Sequence, residues 1–372
     1  MNRVNRMVNR TETISSFQLG SLFFIFLTGS SIVNIPSPLI SEAHNAAWLS
    51  LLLAGIAGIL LLTILLALHR RYPGWDYVAI STSLIGRWAT IALSLALPIP
   101  FMFHIGSGIT LDVGLFMNSS MMSDTPIYIF TTTILILSAL TASAGIEVIA
   151  RMFMLINSTV ILFVLLVVLL SIPDYDFMSV LPIMPNGIRP VLLGAYTTYG
   201  FPYAELFLFG MLIPYVRTDQ RNQVPVAMFR AITLNIAILI IVTMCSILVF
   251  GPMAGERKYS MFEVARTIEV QEILQRIESI IGMALIAGSY MKITITLYAN
   301  HLLIARLFKM KDGKLIIPLL AMVYMLNGIS SYESNAQWEE LVNRIHPLWV
   351  TIAFVLPLVL LYALSLFRRG RA

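Results

Sequence analysis

Ten apolar runs, most of them at or above the ~20 residues a helix needs to cross bilayer hydrocarbon, constrain this chain more than anything else in it. They fall at about 17–40, 47–68, 86–117, 126–143, 147–171, 190–216, 226–250, 272–306, 315–331 and 346–367. In hydrocarbon each backbone N–H and C=O must find its partner inside the protein. Helices do that, so the expected class is an all-α polytopic membrane protein. The ninth run is marginal in length, and the third and eighth are long enough to require tilt.

Charge placement supports the count. The 372 residues are 58% hydrophobic and 12% charged, with a net charge of +5, a balance foreign to soluble domains. The basic residues sit in short segments between apolar runs, a membrane-topology pattern rather than a nucleic-acid surface. When the loops are assigned to alternate faces, 17 of the 24 Lys and Arg residues share one face. They include Arg3, Arg6, Arg10, Arg70, Arg71, Lys311, Arg368, Arg369 and Arg371. Six lie on the other face, and Lys292 alone lies inside a run. This asymmetry predicts both termini in the cytoplasm. The polar first sixteen residues carry no cleavage site and are expected to remain. The single cysteine, Cys245, reads as a small buried apolar residue.

Two runs are interrupted. The first contains Thr28-Gly29-Ser30-Ser31, with Pro36 and Pro38 following. The sixth contains Gly200-Phe201-Pro202, then Tyr203 and Glu205. Proline removes a backbone donor and clashes with the preceding turn, glycine eases departure from the helix, and a carboxylate in hydrocarbon is costly. Broken backbone survives at that depth where protein or a cavity satisfies its freed groups. Runs one to five read broken, plain, long, plain, plain, and so do runs six to ten. Five runs per half make the second half enter from the opposite face. The expectation is one membrane domain, 1–372, with inverted repeats at about 17–171 and 190–367 and helices 1 and 6 broken. That is the five-plus-five, LeuT-like permease arrangement.

Paired breaks of this kind mark a binding site. The expected ligand-binding residues are Thr28, Gly29, Ser30, Ser31, Gly200, Phe201, Pro202 and Tyr203. Freed N–H groups suit a carboxylate, and freed carbonyls suit an ammonium. The alternative for Gly29 is close helix packing, and for the aromatic residues ordinary packing. Phe101, His104 and Ser289 are candidates for the pocket wall, while Asp112 lies near an outer helix end and is expected to be hydrated. Glu205 lies 12 residues before Arg217 and Lys292 14 before Arg306. At 1.5 Å per residue both sit roughly 18–21 Å from the cytoplasmic end, a depth that permits a buried charge pair. The alternative for Lys292 is snorkelling. Two loops predict helix starts: Thr125 as N-cap with Pro126 at N1, and a capping box at Ser260 to Glu263 opening a short external helix.

These features resemble a known family. Ile14-Ser15-Ser16-Phe17-Gln18-Leu19, Gly29-Ser30-Ser31-Ile32 with Pro36, and Arg71-Tyr72-Pro73 are similar to the opening of spore germination permeases. These are the B subunits of nutrient germinant receptors, within the amino-acid/polyamine/organocation permease superfamily. Gly145 to Arg151, Pro202-Tyr203-Ala204-Glu205 with Pro214, and Lys292-Ile293-Thr294 with Leu297-Tyr298-Ala299 follow in the same order. Ala46-Ala47-Trp48-Leu49 departs from the pattern, which usually has an Asp shortly before the Trp. The resemblance implies a subunit in the spore inner membrane that binds a small nutrient, commonly an amino acid, and triggers germination. It also implies two partners, a germinant receptor A subunit with a large soluble region and a lipoprotein C subunit. In the related permease fold spans one and eight can hold a bound cation, and Lys292 is a fixed substitute for it. The alternatives are an amino-acid secondary transporter or a water or ion channel subunit. No catalytic, metal or cofactor constellation stands out, and no nucleic-acid partner is expected.

Overall fold

The computed structural model describes residues 12–184, 186–268, 276–310, 313–331 and 335–367. Arg3, Arg6, Arg10, Lys311, Arg368, Arg369 and Arg371, which weigh in the charge asymmetry, lie outside the described residues, as does the start of the eighth run at 272–275. In chain order the helices are α1 Ser16–Thr28, α2 Ser31–Asn34, α3 Pro36–Ala43, α4 Ala47–Arg71, α5 Tyr77–Ile85 and α6 Arg87–Ala96. Then come α7 Pro98–Phe116, α8 Ile127–Ala144, α9 Ile146–Leu170, α10 Ile188–Gly200, α11 Val224–Phe250 and α12 Ser260–Thr267. The chain continues with α13 Glu278–Phe308, α14 Ile317–Ser330, α15 Asn335–Glu340, α16 His346–Val350 and α17 Leu356–Phe367.

Among the described residues nine helical segments are long and apolar enough to cross a membrane. The tenth expected crossing is the sixth run. It is absent from the nine because α10 stops at Gly200 and the chain resumes as a tight 3-10 turn from Tyr203 to Met211. The first run breaks too, with α1 ending at Thr28 and α2 starting at Ser31. The third run is also in two pieces, α6 and α7, because Pro98 opens α7 after Leu97 leaves helical geometry. The helix α5 was not foreseen, and its start is fixed by the Asp76 side chain accepting from the Ala79 N–H.

Packing repeats with the pseudo-symmetry. In the first half α1 lies along α11, and in the second α10 lies along α4. Likewise α13 packs on α8 as α7 packs on α14, while α7 and α13 meet each other. This exchange of partners is what an inverted five-plus-five repeat requires. It places α13 at the centre, with Lys292, Ser289, Thr294, Thr296 and Asn300 all buried.

Both helix starts expected in the loops need correction. α8 begins at Ile127, with Pro126 extended at the N-cap position and no side-chain cap from Thr125. α12 begins at Ser260 itself behind Tyr259, with no capping box. The Ser260 N–H donates instead to Ser37 Oγ at 2.7 Å, and Glu263 pairs with Arg266 at 3.2 Å. A complete capping box does occur at α1, where Ser15 and Gln18 satisfy each other's N–H groups.

The residues before α1 form a clasp. Glu12 accepts from the Ile146 N–H at 2.9 Å and from Lys314 Nζ at 2.9 Å. Thr13 N–H donates to Glu147 at 2.7 Å. Ile14 exchanges backbone hydrogen bonds with Tyr215 and Arg217. Gly145 makes this possible: its φ of +97 turns α8 directly into α9 and presents the Ile146 N–H.

Candidate functional site

The two breaks meet on α13. Gly29 lies backbone to backbone against Gly288, where a Cβ at Gly29 would stand 2.6 Å from the Gly288 carbonyl oxygen. Only residues without side chains permit that crossing. One turn further along α13, Lys292 reaches across the gap that the broken α10 leaves open. Its Nζ lies 2.6 Å from Glu205 Oε2, with the two side chains 0% and 1% exposed. The ammonium also lies 3.9 Å from the centre of the Phe201 ring and 4.8 Å from that of Phe26. Desolvated cation–aromatic contacts of this kind contribute up to about 2 kcal/mol. The other Glu205 oxygen faces His346 Nε2 at 3.3 Å. One carboxylate thus joins spans six, eight and ten. Both contacts are within ion-pair distance.

Beside this pair is a cavity of about 70 Å³. Space on this scale suits a small solute. α7 supplies one wall through His104, Gly108 and Asp112, which recur every four residues on one helical face. The α10 break supplies Thr197, Thr198, Phe201 and Glu205. Asn34 and Pro38 come from the first run, and Trp338, Asn343 and His346 from the segment entering the last.

Of the residues expected to bind, Phe201 lines this cavity, together with Glu205 and the wall candidate His104. Thr28, Gly29, Ser30, Ser31, Gly200, Pro202, Tyr203, Phe101 and Ser289 do not line it. Thr28 accepts from Asn235 Nδ2 of α11 at 3.0 Å. Ser30, Ser31 and Ser289 are buried with hydroxyls that have no partner among the described residues. Gly200 abuts α16, where a Cβ would stand 2.6 Å from Pro347 Cα. Pro202 precedes the 3-10 turn, and Tyr203 packs its ring over Gly58 of α4. Phe101 lies behind the wall, 5.2 Å from the His346 ring and 5.6 Å from that of His104.

Sequence reasoning missed His346, Trp338, Asn34 and the role of Asp112. Asp112 is not simply hydrated: the Trp338 indole N–H donates to its Oδ1 at 2.6 Å. The spacing of His104, Gly108 and Asp112 could have shown a common face. Nothing in the linear sequence links them to Trp338 and His346.

A family profile described as spore germination protein matches residues 13–336. Among curated proteins, spore germination protein KB of Bacillus subtilis (strain 168) is 28% identical over 360 residues, covering 95% of this chain and 93% of that relative. Spore germination protein YndE of the same organism is 22% identical over 336 residues, covering 88% and 90%. Among solved structures, Mhp1, a nucleobase-cation-symport-1 family transporter in a closed conformation with bromovinylhydantoin bound, aligns with a TM-score of 0.74. That alignment is 12% identical and covers 97% of this chain and 80% of Mhp1. A Na+-coupled sialic acid symporter in a substrate-bound outward-open state aligns at 0.68 and 12% identity, covering 93% and 79%. At such identity these likenesses speak for the fold alone.

Proposed function

This chain belongs to the spore germination protein family, and on that premise we propose that it is the membrane subunit of a nutrient germinant receptor. It binds a small nutrient, an amino acid in the simplest case, in the cavity beside the Glu205–Lys292 pair. The observation that carries this reading is that cavity, which lies where both broken spans meet a buried charge pair. A receptor needs only that ligand favour one conformation and that a partner read it. The partners in this reading are a germinant receptor A subunit and a lipoprotein C subunit, in the spore inner membrane, with both termini cytoplasmic. The binding surface includes Phe201, Glu205 and His104, and the freed backbone around Gly29 and Gly200 responds to occupancy. Spores lacking the chain should lose germination to one class of nutrient while vegetative growth on that nutrient is normal. A full germination response to every single amino acid and sugar in the deletion strain would refute the reading.

Secondary transport is the second reading, favoured by a fold shared with symporters. In this reading Lys292 argues against sodium coupling: its ammonium, paired with Glu205, stands in for the cation that spans one and eight can hold in the related permease fold. The purified chain in vesicles should bind nutrient without concentrating it under a sodium or a proton gradient. Robust gradient-driven uptake would make the transporter reading correct.

A further inference from the structure

We propose that the groove between α8 and α14 seats an acyl chain of an anionic phospholipid, whose phosphate is held at Lys309 and Lys314. The inference is independent of the receptor reading, and the groove shares no residue with the cavity beside Glu205. It measures about 330 Å³. Leu135, Ala139 and Ala321 form its floor, buried where the two helices pack. Its rims are Ile136, Leu140 and Met322, all exposed. An alanine from each helix, set between larger neighbours, makes the depression. Along α8 the groove runs from Thr132 to Ser143, about 16 Å at helical rise. That is roughly half of the ~30 Å of bilayer hydrocarbon, the depth of one leaflet. It reaches the end of the bundle where α8 stops at Ala144 and α14 starts at Ile317.

The chemistry of the groove selects a lipid chain over a protein helix. In a membrane no hydrophobic force draws helices together; they associate through close backbone approach and interhelical hydrogen bonds. Both hydroxyls in the groove are already used. Thr132 Oγ1 donates to Met325 Sδ at 3.6 Å, and Ser143 Oγ donates to the Ala139 carbonyl at 2.8 Å. A helix about 10 Å across meets Leu140 and Met322 before it can reach the alanines beneath them. A single unbranched chain fits between those rims. Charge at the Ser143 end fixes the headgroup. Ser143 lies two residues before Gly145, against which Glu12 packs, and Pro318 lies four after Lys314. Glu12 accepts from Lys314 Nζ and from the Ile146 N–H, both at 2.9 Å. The Lys314 ammonium keeps two further hydrogens, and its side chain is 42% exposed. Lys309, on the connection from α13 to α14, is exposed and has no ion pair among the described residues. Arg151 of α9 pairs with Glu147 at 3.5 Å. Lys309, Lys314 and Arg151 against Glu12 and Glu147 leave one surplus positive charge, the complement of one phosphodiester. Basic side chains at this depth attract anionic headgroups.

The test uses the full chain, purified in detergent and titrated with phosphatidylglycerol or with phosphatidylcholine of the same acyl chains. Bound lipid is counted by native mass spectrometry. Wild-type protein should retain one phosphatidylglycerol about 5-fold more tightly than phosphatidylcholine, the effect of one surplus basic charge at a membrane surface. Ala321→Phe fills the floor and should lose that lipid. A phosphatidylglycerol with a photoreactive group in its chain should label residues 132–143 and 318–325 ahead of Leu155 and Leu162, the exposed leucines of α9. That measurement reads the site in the wild-type chain, whether or not Ala321→Phe folds. Equal retention of the two lipids, or retention of neither, overturns the inference. So does unchanged retention in a folded Ala321→Phe protein, or labelling of α9 as strong as that of the groove. Disulfide-linked dimers of a Met322→Cys chain in membranes would seat a second copy in the groove and overturn it as well. None of these results bears on the receptor reading.

Discussion

Lys292 and Glu205 touch at 2.6 Å with neither side chain reaching solvent, and the contact bridges a broken helix to the helix at the centre of the fold. A buried pair is weak grounds for stability in itself, because desolvation offsets the attraction. Removing one partner is another matter, since it strands a charge. Lys292→Met and Glu205→Gln should each cost about 3–5 kcal/mol, read as apparent melting temperature in detergent. The double variant should cost clearly less than the two together, because neither charge is then left alone. Additive losses would mean the two residues act separately.

Replacing Gly29 should be damaging out of proportion to the atoms added. A Cβ there meets the Gly288 carbonyl oxygen at 2.6 Å, whereas one at Gly282 meets its nearest neighbour, Met121 Sδ, at 3.4 Å. Gly29→Ala should therefore lose about 1–3 kcal/mol through overpacking, and Gly29→Leu should abolish the nutrient response while the chain still reaches the membrane. Gly282→Ala, on the same α13 helix as Gly288, should be tolerated. Equal stability of Gly29→Ala and Gly282→Ala would remove the backbone-crossing argument.

Sidedness is open to cysteine labelling, since the native Cys245 is buried. Cysteines at Ser119 and Met253 should react with an impermeant maleimide from outside, and one at Asn222 should not. Met253 is 60% exposed; nearby Gly255 is unsuitable because a Cβ there would stand 2.5 Å from the Ser41 backbone nitrogen. External labelling at Asn222 would invert or break the alternating assignment of loops.

His346 should matter less to stability than Lys292. It faces Glu205 at 3.3 Å, yet Glu205 keeps its ammonium when the imidazole is gone. His346→Gln should shift the melting temperature by less than half of the Lys292→Met shift. A larger shift would make the imidazole, rather than the ammonium, the main support of the carboxylate.

The broken spans were readable because Gly, Pro and Glu stand out against an apolar run. The depths of Glu205 and Lys292 were matched on α-helical rise although the stretch after Glu205 is 3-10, yet the two side chains do meet. Asp112 stays half-buried near its helix end, but its hydrogen-bond donor could not be foreseen: Trp338 lies 226 positions later in the chain, and hydropathy carries no trace of that encounter. The helix starts failed for a related reason. Ser260 fits a cap by spacing, but a tertiary neighbour, Ser37, takes its N–H. At Ser15 the box with Gln18 does form, a start the sequence reading had not drawn.

The clasp at Glu12 sets an order on biogenesis. Its partners lie 134 positions downstream at Ile146 and 302 downstream at Lys314. Residues leave the ribosome at roughly 5–20 per second, so Glu12 waits tens of seconds for Lys314 to be made. During that interval the carboxylate can engage the Ile146 N–H alone. The clasp closes fully only when the next-to-last crossing is entering the bilayer, which makes it a late marker of completed insertion. Truncated chains ending before residue 314 should leave residues near Glu12 open to protease, and chains extending past α14 should protect them.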